Sequence, residues 1–138
     1  MEYVLDSSVL IKWFSPYNEE YRSKALSLLE LYKERKVDLF ISELAICEVS
    51  NALIYNKNFN KNEVKEILKF LINLELFTVV LDEKTIDMSL EIAYEEDITV
   101  YDSIFIALSN VLKIPLITAN PKHLKAKAGR NIILLKEF

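Results

Sequence analysis

Residues 3–14 read YVLDSSVLIKWF, and this stretch decides the class of fold. Its first four letters, YVLD, predict a short strand at 3–6. The following letters, SSVLIKWF, predict a helix at 7–14, because their apolar side chains recur at helical spacing. Asp6 stands at the junction, and aspartate is a favoured N-cap residue. The segment therefore predicts an acid at the carboxyl end of a first strand.

Strands and helices alternate through the rest of the chain. Further strands are predicted at 38–42, 77–81, 115–119 and 131–135, and further helices at 18–35, 43–56, 61–74, 83–96, 100–112 and 121–127. This alternation predicts an α/β fold, in which helices cover both faces of a parallel sheet. Such sheets bind ligands beyond the carboxyl ends of their strands, where the strand order reverses. In the order 3-2-1-4-5, Asp6 and Asn120 would face one crevice.

Rare residues exclude several classes of site. The one glycine, Gly129, rules out a Walker phosphate loop, a GxGxxG turn and a GxSxG elbow. With one histidine, His123, and one cysteine, Cys47, a single chain forms neither a disulfide nor a His/Cys zinc site. Cys47 is expected to pack as a small apolar residue. Since Asp and Glu number 21, metal chemistry would use oxygen ligands, which suit Mg²⁺ or Mn²⁺.

Length and composition predict one domain over residues 1–138, with 51% apolar and 28% charged residues. The opening MEYVLD predicts no signal peptide, and no run approaches the roughly 18 apolar residues of a membrane span. An unpaired cysteine agrees with a cytoplasmic protein. The net charge of −4 disfavours nonspecific coating of nucleic acid, but a nuclease remains possible because local charge and bound metal dominate at a site.

The predicted helix at 43–56 carries two glutamates in different surroundings. At about 100° per residue, Glu48 falls within the apolar arc that includes Leu44 and Val49, whereas Glu43 lies opposite and is expected to be solvated. A carboxylate on a buried face needs a cation or hydrogen-bond donors. Glu48 is therefore a functional acid, the partner of a cation such as Lys12, or a boundary residue that reaches solvent.

Asp6 and Asp102 each have a structural alternative to a functional role. Asp102 begins the helix at 100–112, where the backbone dipole stabilises an acid. Asp6 can cap the helix at 7–14, serve as a functional acid, or do both. Two familiar phosphoryl-transfer folds do not fit. A receiver domain needs a second acid beside the first, and a haloacid-dehalogenase-type phosphatase needs DxD, whereas Asp6 is followed by two serines.

Four segments together resemble the four motifs of the PIN domain family. In chain order they are VLDSSVLIKWF (4–14), ELAICEVSNAL (43–53), ITVYDSIFIALS (98–109) and PLITANPKHL (115–124). Each motif is weak alone, but the ordered set covers nearly the whole chain. The resemblance is closest to VapC-type toxins, the small prokaryotic PIN ribonucleases of toxin–antitoxin systems.

The resemblance implies a three-layer α/β/α fold with a five-stranded parallel sheet of order 3-2-1-4-5. It also implies hydrolysis of RNA phosphodiester bonds with Mg²⁺ or Mn²⁺ as cofactor. Position by position, Asp6, Glu48 and Asp102 match the three family acids. All three are thereby implied as catalytic residues and metal ligands, with Glu48 acting directly or through water.

The fourth family position departs from the usual pattern. It is usually Asp, and here it is Asn120, within a T-x-N pattern that begins at Thr118 and that some members share. An amide is a poorer Mg²⁺ ligand than a carboxylate, which disfavours a tight second metal. Asn120 is therefore expected to hydrogen-bond water at the metal or the substrate phosphate. Ser8 matches a small hydroxyl position, and with Thr118 it is expected to orient Asp6 or the phosphate.

The resemblance further implies RNA as substrate, a homodimer and a cognate antitoxin, with an apolar patch on the helices at 18–35 or 61–74. A basic cluster beside Asn120 is either a phosphate-positioning rim or a solvated helix face; it comprises Lys113, Lys122, Lys125, Lys127 and Arg130. Other interpretations stay open. The chain could be an RNA-processing PIN nuclease, a catalytically weak PIN-like binding module, or a protein-binding domain in which Glu48 pairs with Lys or Arg.

Overall fold

Five parallel strands form a single sheet in the order β3-β2-β1-β4-β5. The structure is a computed structural model that describes residues 1–17, 19–120 and 131–138. The strands are β1 (Glu2–Leu5), β2 (Asp38–Ser42), β3 (Phe77–Val79), β4 (Leu116–Thr118) and β5 (Ile132–Leu134). The predicted α/β class and the strand order 3-2-1-4-5 are confirmed.

Helices connect the strands and cover both faces of the sheet. They are α1 (Ser7–Phe14), α2 (Arg22–Lys33), α3 (Ala45–Ile54), α4 (Lys61–Asn73), α5 (Glu83–Glu96) and α6 (Val100–Leu112), and a 3-10 turn follows β5. The predicted bounds of α1, α5 and α6 match the structure. The helix predicted at 121–127 lies outside the described residues. Among those described, no helix is long and apolar enough to cross a bilayer.

The centre of the sheet positions the carboxyl ends of β1 and β4 side by side. Leu5 pairs in register with Ile117, and both residues are fully buried. Strands buried on both faces are typical of parallel sheets covered by helices. Because the two strands run in the same direction, Asp6, directly after β1, and Thr118, the last residue of β4, are neighbours at this edge. The register therefore builds the start of a site at this edge.

Helix α6 is enclosed over most of its length. Its residues 104–108 are all at most 6% exposed, a pattern typical of a helix surrounded by other elements. The helix packs against β1, β2 and β4, and also against α5. This packing fixes the first turn of α6, which carries Asp102, relative to the sheet.

One expectation for the region around α3 needs correction, and another gains a contact. Cys47 does not pack in the core but is exposed. Glu43 is exposed as expected, but its Oε1 also accepts a hydrogen bond from the backbone N–H of Leu81 at 3.0 Å. Glu43 therefore ties the segment after β3 to the start of α3, a contact between elements distant in sequence that a helical wheel does not show.

Candidate active site

Asp6 is held in one orientation by two hydrogen bonds. Its backbone is extended, and as N-cap of α1 it accepts a bond at Oδ1 from the Ser8 N–H at 3.1 Å. Its Oδ2 accepts a bond from the Thr118 hydroxyl at 2.6 Å. Asp6 is 6% exposed. Asp6 can therefore cap α1 and also serve as a functional acid. The Ser8 bond caps the helix, and together with the Thr118 bond it fixes the carboxylate at the sheet edge.

The end of β4 is tied to α1 through Thr118 and Ser8. The Thr118 Oγ1 that donates to Asp6 also accepts a bond from the Asn120 N–H at 3.0 Å. The Ser8 Oγ accepts a bond from the Ala119 N–H at 3.1 Å. These contacts bring Asp6, Ser8, Thr118 and Asn120 to one edge of the sheet.

Glu48 lies in the first turn of α3 and is partly buried. Its pKa is raised to about 7, first by burial, then by the negative charge of Asp6, and least by that of Asp102. The Ser7 hydroxyl opposes this rise in pKa. The charges of both aspartates act on Glu48, so Asp6, Glu48 and Asp102 form one electrostatic cluster, which we call the acid cluster.

Lys12 does not pair with Glu48. Its Nζ lies 2.7 Å from the Glu19 Oε2, in a partly buried ion pair. Across the described ranges, none of the ion pairs includes Glu48. A partly buried carboxylate such as that of Glu48, beside other acids, needs a compensating cation. Lys12 is not that cation, because it pairs with Glu19.

Asp102 lies in the first turn of α6, but it is not the cap of that helix. The N-cap is Thr99, whose Oγ1 accepts a bond from the Asp102 N–H at 3.1 Å. The backbone dipole at the helix start stabilises the negative charge of Asp102. Thr99 caps α6, and Asp102 lies in the first turn, where the sequence analysis expected an acid stabilised by the backbone dipole.

The donor set fits a divalent cation that keeps part of its water shell. In residues 1–17, 19–120 and 131–138, no three Asp, Glu, His or Cys side chains converge closely enough to hold an ion directly. Mg²⁺, however, usually keeps several waters and binds through one or two carboxylates. The oxygen donors of Asp6, Glu48, Asp102 and Asn120 match that chemistry. A cation among the acids would also relieve the repulsion that raises the pKa of Glu48.

Ser7 is the site residue that the sequence analysis missed. It is 4% exposed and lies beside Glu48, yet its Oγ has no partner at regular hydrogen-bond geometry. A buried hydroxyl without a partner is costly unless water or a ligand satisfies it. The available signal was its position immediately after the first acid, where the chain turns from β1 into α1.

Glu48→Gln is expected to stabilise the metal-free protein above neutral pH but not near pH 4.5. Between the ordinary value of 4.5 and about 7, the folded protein binds more protons at Glu48 than the unfolded chain does, so stability falls as pH rises. Glutamine avoids this loss, and we expect a gain in Tm of about 3–6 °C at pH values above the raised pKa. Thermal unfolding in EDTA across this range measures it, with exposed Glu91→Gln as control. A pH-independent difference would contradict the raised pKa.

The fold agrees with a family comparison. The family model described as PIN domain matches residues 3–129, so the chain belongs to the PIN domain family. A comparison with curated proteins found no match.

Solved structures of toxin–antitoxin proteins share the fold at low sequence identity. VapBC2 from Rickettsia felis, bound to a DNA fragment from its promoter, aligns with a TM-score of 0.71 and 17% identity over 97% of this chain and 98% of that chain. A toxin–antitoxin complex from Klebsiella pneumoniae gives 0.72 and 19% over 98% of both chains. VapC20 from Mycobacterium tuberculosis, described as a toxin that cleaves the sarcin–ricin loop, gives 0.68 and 11% over 93% and 95%.

Proposed function

We propose that this chain is a metal-dependent endoribonuclease that hydrolyses RNA phosphodiester bonds and acts as the toxin of a VapBC-type pair. The observation that carries the proposal is the place of Asp6 directly after β1, bonded to Thr118 at the end of β4, with Glu48 and Asp102 coupled to it by charge. Open α/β sheets bind ligands at this edge. Membership of the PIN family and the similarity to VapBC structures support the same conclusion.

Three carboxylates would hold the cofactor, Mg²⁺ or Mn²⁺. Asp6 and Asp102 are the proposed principal ligands, and Glu48 binds directly or through water. When bound, the cation activates water and neutralises charge at the phosphate and the leaving oxygen. The Ser8 N–H and the Thr118 hydroxyl keep Asp6 in its orientation. Asn120 follows the end of β4 by two residues. Its amide is proposed to hydrogen-bond the substrate phosphate or water.

An antitoxin is the proposed protein partner. An apolar groove of about 460 Å³ runs between α1, α2 and α4, and its lining comprises Trp13, Phe14, Leu29, Glu63, Glu66, Ile67 and Phe70. Phe70 is 44% exposed there, which leaves a large apolar side chain in solvent. The two glutamates give the groove an acidic rim. We assign the groove to an amphipathic antitoxin helix with basic residues beside its apolar face.

A homodimer is the second proposed assembly, and α5 offers a surface that the sequence analysis did not anticipate. Ile86, Leu90 and Tyr94 recur every four residues and are 44%, 45% and 88% exposed. Side chains at this spacing form one stripe on a helix. An exposed apolar stripe marks an interaction site more often than an isolated apolar residue does.

An RNA-processing nuclease outside a toxin–antitoxin pair would use the same chemistry. This alternative differs from the proposed toxin only in its substrate and its protein partner. A binding module that lost its chemistry is disfavoured, because the chain keeps all three acids and only the fourth position carries an amide. A protein-binding domain in which these polar residues are only helix caps or surface groups is disfavoured. The charges of Asp6 and Asp102 both raise the pKa of Glu48, so the three acids are not independent of one another.

The test is cleavage of a labelled structured RNA with Mn²⁺, with Mg²⁺ and with EDTA. Wild-type protein is expected to cut with either cation and to lose the activity in EDTA. Asp102→Asn, purified in the same way, controls for a contaminating nuclease. Cutting that persists in EDTA, or that is equal in the variant, would contradict the proposal. Binding of RNA without cutting under every condition would favour the binding module.

A further inference from the structure

A hollow of about 330 Å³ adjoins the acid cluster, between α3 and the start of α6. We call it the α3–α6 hollow, and its lining comprises Leu44, Cys47, Glu48, Asn51 and Tyr101. Glu48 belongs both to this lining and to the acid cluster. The proposed chemistry does not account for the other four residues.

The lining has a regular geometric origin. Positions 44, 47, 48 and 51 follow the spacing i, i+3, i+4 and i+7, so they share one face of α3 and its N-terminal flank. Tyr101 immediately precedes Asp102 in the first turn of α6. Two of the three acids are therefore on the same short segments as the hollow's walls. Because both segments are helical, the hollow is fixed relative to the acids.

We propose that the α3–α6 hollow binds one nucleobase of a single-stranded RNA, next to the phosphate that is cut. This inference rests on the proposed function and adds how the substrate is recognised. Tyr101 is 59% exposed, and an aromatic ring in this position can stack on a base. Asn51 is exposed on the same helix face, and its amide can hydrogen-bond a base edge.

The chemistry of the hollow selects a base rather than a phosphate. Among the described residues, its lining carries no cationic side chain, and Glu48 would repel an anionic group. A base is neutral, planar and largely apolar on its faces, which matches the Leu44 and Tyr101 side chains. Volumes of this size lie at the lower end for small-ligand pockets. Cys47, exposed in the wall, adds a small polarisable contact.

The test combines a contact measurement with cleavage kinetics. A short single-stranded RNA of random sequence, containing one 5-iodouridine, is irradiated with the protein in Ca²⁺, and the cross-linked residue is identified by mass spectrometry. Cleavage of the same RNA in Mn²⁺ is compared for wild type, Tyr101→Ala and Tyr101→Phe. Tyr55→Ala, which removes an exposed tyrosine just after α3, is the matched control. The solution mass of each variant is also measured.

The expected result is a cross-link at Tyr101, with KM raised roughly 5- to 100-fold in Tyr101→Ala. Tyr101→Phe keeps the ring and is expected to stay close to wild type, as is Tyr55→Ala. Cleavage with an unchanged KM in Tyr101→Ala and no cross-link would overturn the subsite while leaving the nuclease intact. A cross-link without any cleavage would support the subsite and contradict the proposed function. Loss of a dimer in Tyr101→Ala, with RNA binding unchanged, would overturn the subsite in favour of an interface between copies.

Discussion

Asp6→Asn is expected to lower metal-dependent RNA cleavage by roughly 1,000-fold, because loss of one principal ligand removes several kcal/mol of transition-state stabilisation. The substitution removes the negative charge but keeps the size of the side chain. Asparagine is as good an N-cap residue as aspartate, so the cap of α1 is expected to survive. Its amide oxygen can also still accept a bond from Ser8 or Thr118. The loss of activity is therefore attributable to charge.

The chain offers a close control in Asp82→Asn. Asp82 is the extended N-cap of α5 and accepts bonds from the Thr85 N–H at 2.8 Å and from the Thr85 hydroxyl at 2.6 Å. It thus shares with Asp6 both a backbone donor and a threonine hydroxyl, but it lies outside the acid cluster. Initial cleavage rates and Tm of both variants are compared with wild type. Equal rates in Asp6→Asn and wild type would contradict the metal-ligand assignment.

Helix bounds were predictable where the capping signals are local. Asp82 and Thr99 cap α5 and α6 through bonds to residues three positions later, and both helices begin where the sequence predicts. The start of α2 was not predictable in this way. It begins at Arg22 rather than at 18 because Tyr21 has a left-handed backbone, with a φ of 57°. A tyrosine carries no local preference for that conformation.

The partial burial of Glu48 was predictable, because the conflict between burial and charge at this position is visible on a helical wheel. The neighbouring hollow was not predictable from the same wheel. Periodicity assigns Leu44 to the arc that faces the interior, and residue type alone suggests that Cys47 packs, but neither shows where a neighbouring helix ends. The structure leaves Cys47 exposed beside the first turn of α6. Such a gap depends on how two helices meet, which is a property of the tertiary structure.

The surface stripe on α5 illustrates the same limit. The periodicity of 83–96 predicts a helix with an apolar face, and the structure agrees on the helix. Ile92 is buried, whereas Ile86 and Leu90 are about half exposed. A helical wheel of α5 does not show which of its two apolar arcs packs against α6. The homodimer patch was consequently expected on other helices, and α5 enters the proposal only through the structure.

Asp102→Asn is expected to remove both RNA cleavage and the stabilisation that Mn²⁺ gives to the folded protein. A ligand that binds only the folded state stabilises it in proportion to ln(1 + [L]/Kd). At about a hundredfold excess over Kd, wild-type Tm is expected to rise by roughly 5–10 °C. Asp102→Asn is expected to show little of this rise, and to cut RNA at least about 100-fold more slowly.

Asp97→Asn is the matched control for this experiment. Asp97 ends α5 in a left-handed conformation with φ 52° and ψ 50°, which asparagine also adopts readily. The substitution removes one carboxylate close to Asp102 in sequence and leaves the acid cluster unchanged. Both the Mn²⁺ shift in Tm and the rate of cleavage are therefore expected to match wild type. A wild-type Mn²⁺ shift in Asp102→Asn would contradict its role as a ligand. If Asp102→Asn lost the Mn²⁺ shift in Tm but still cleaved RNA, metal binding at Asp102 would not be needed for the reaction. The chemistry would then be assigned to Asp6 and Glu48.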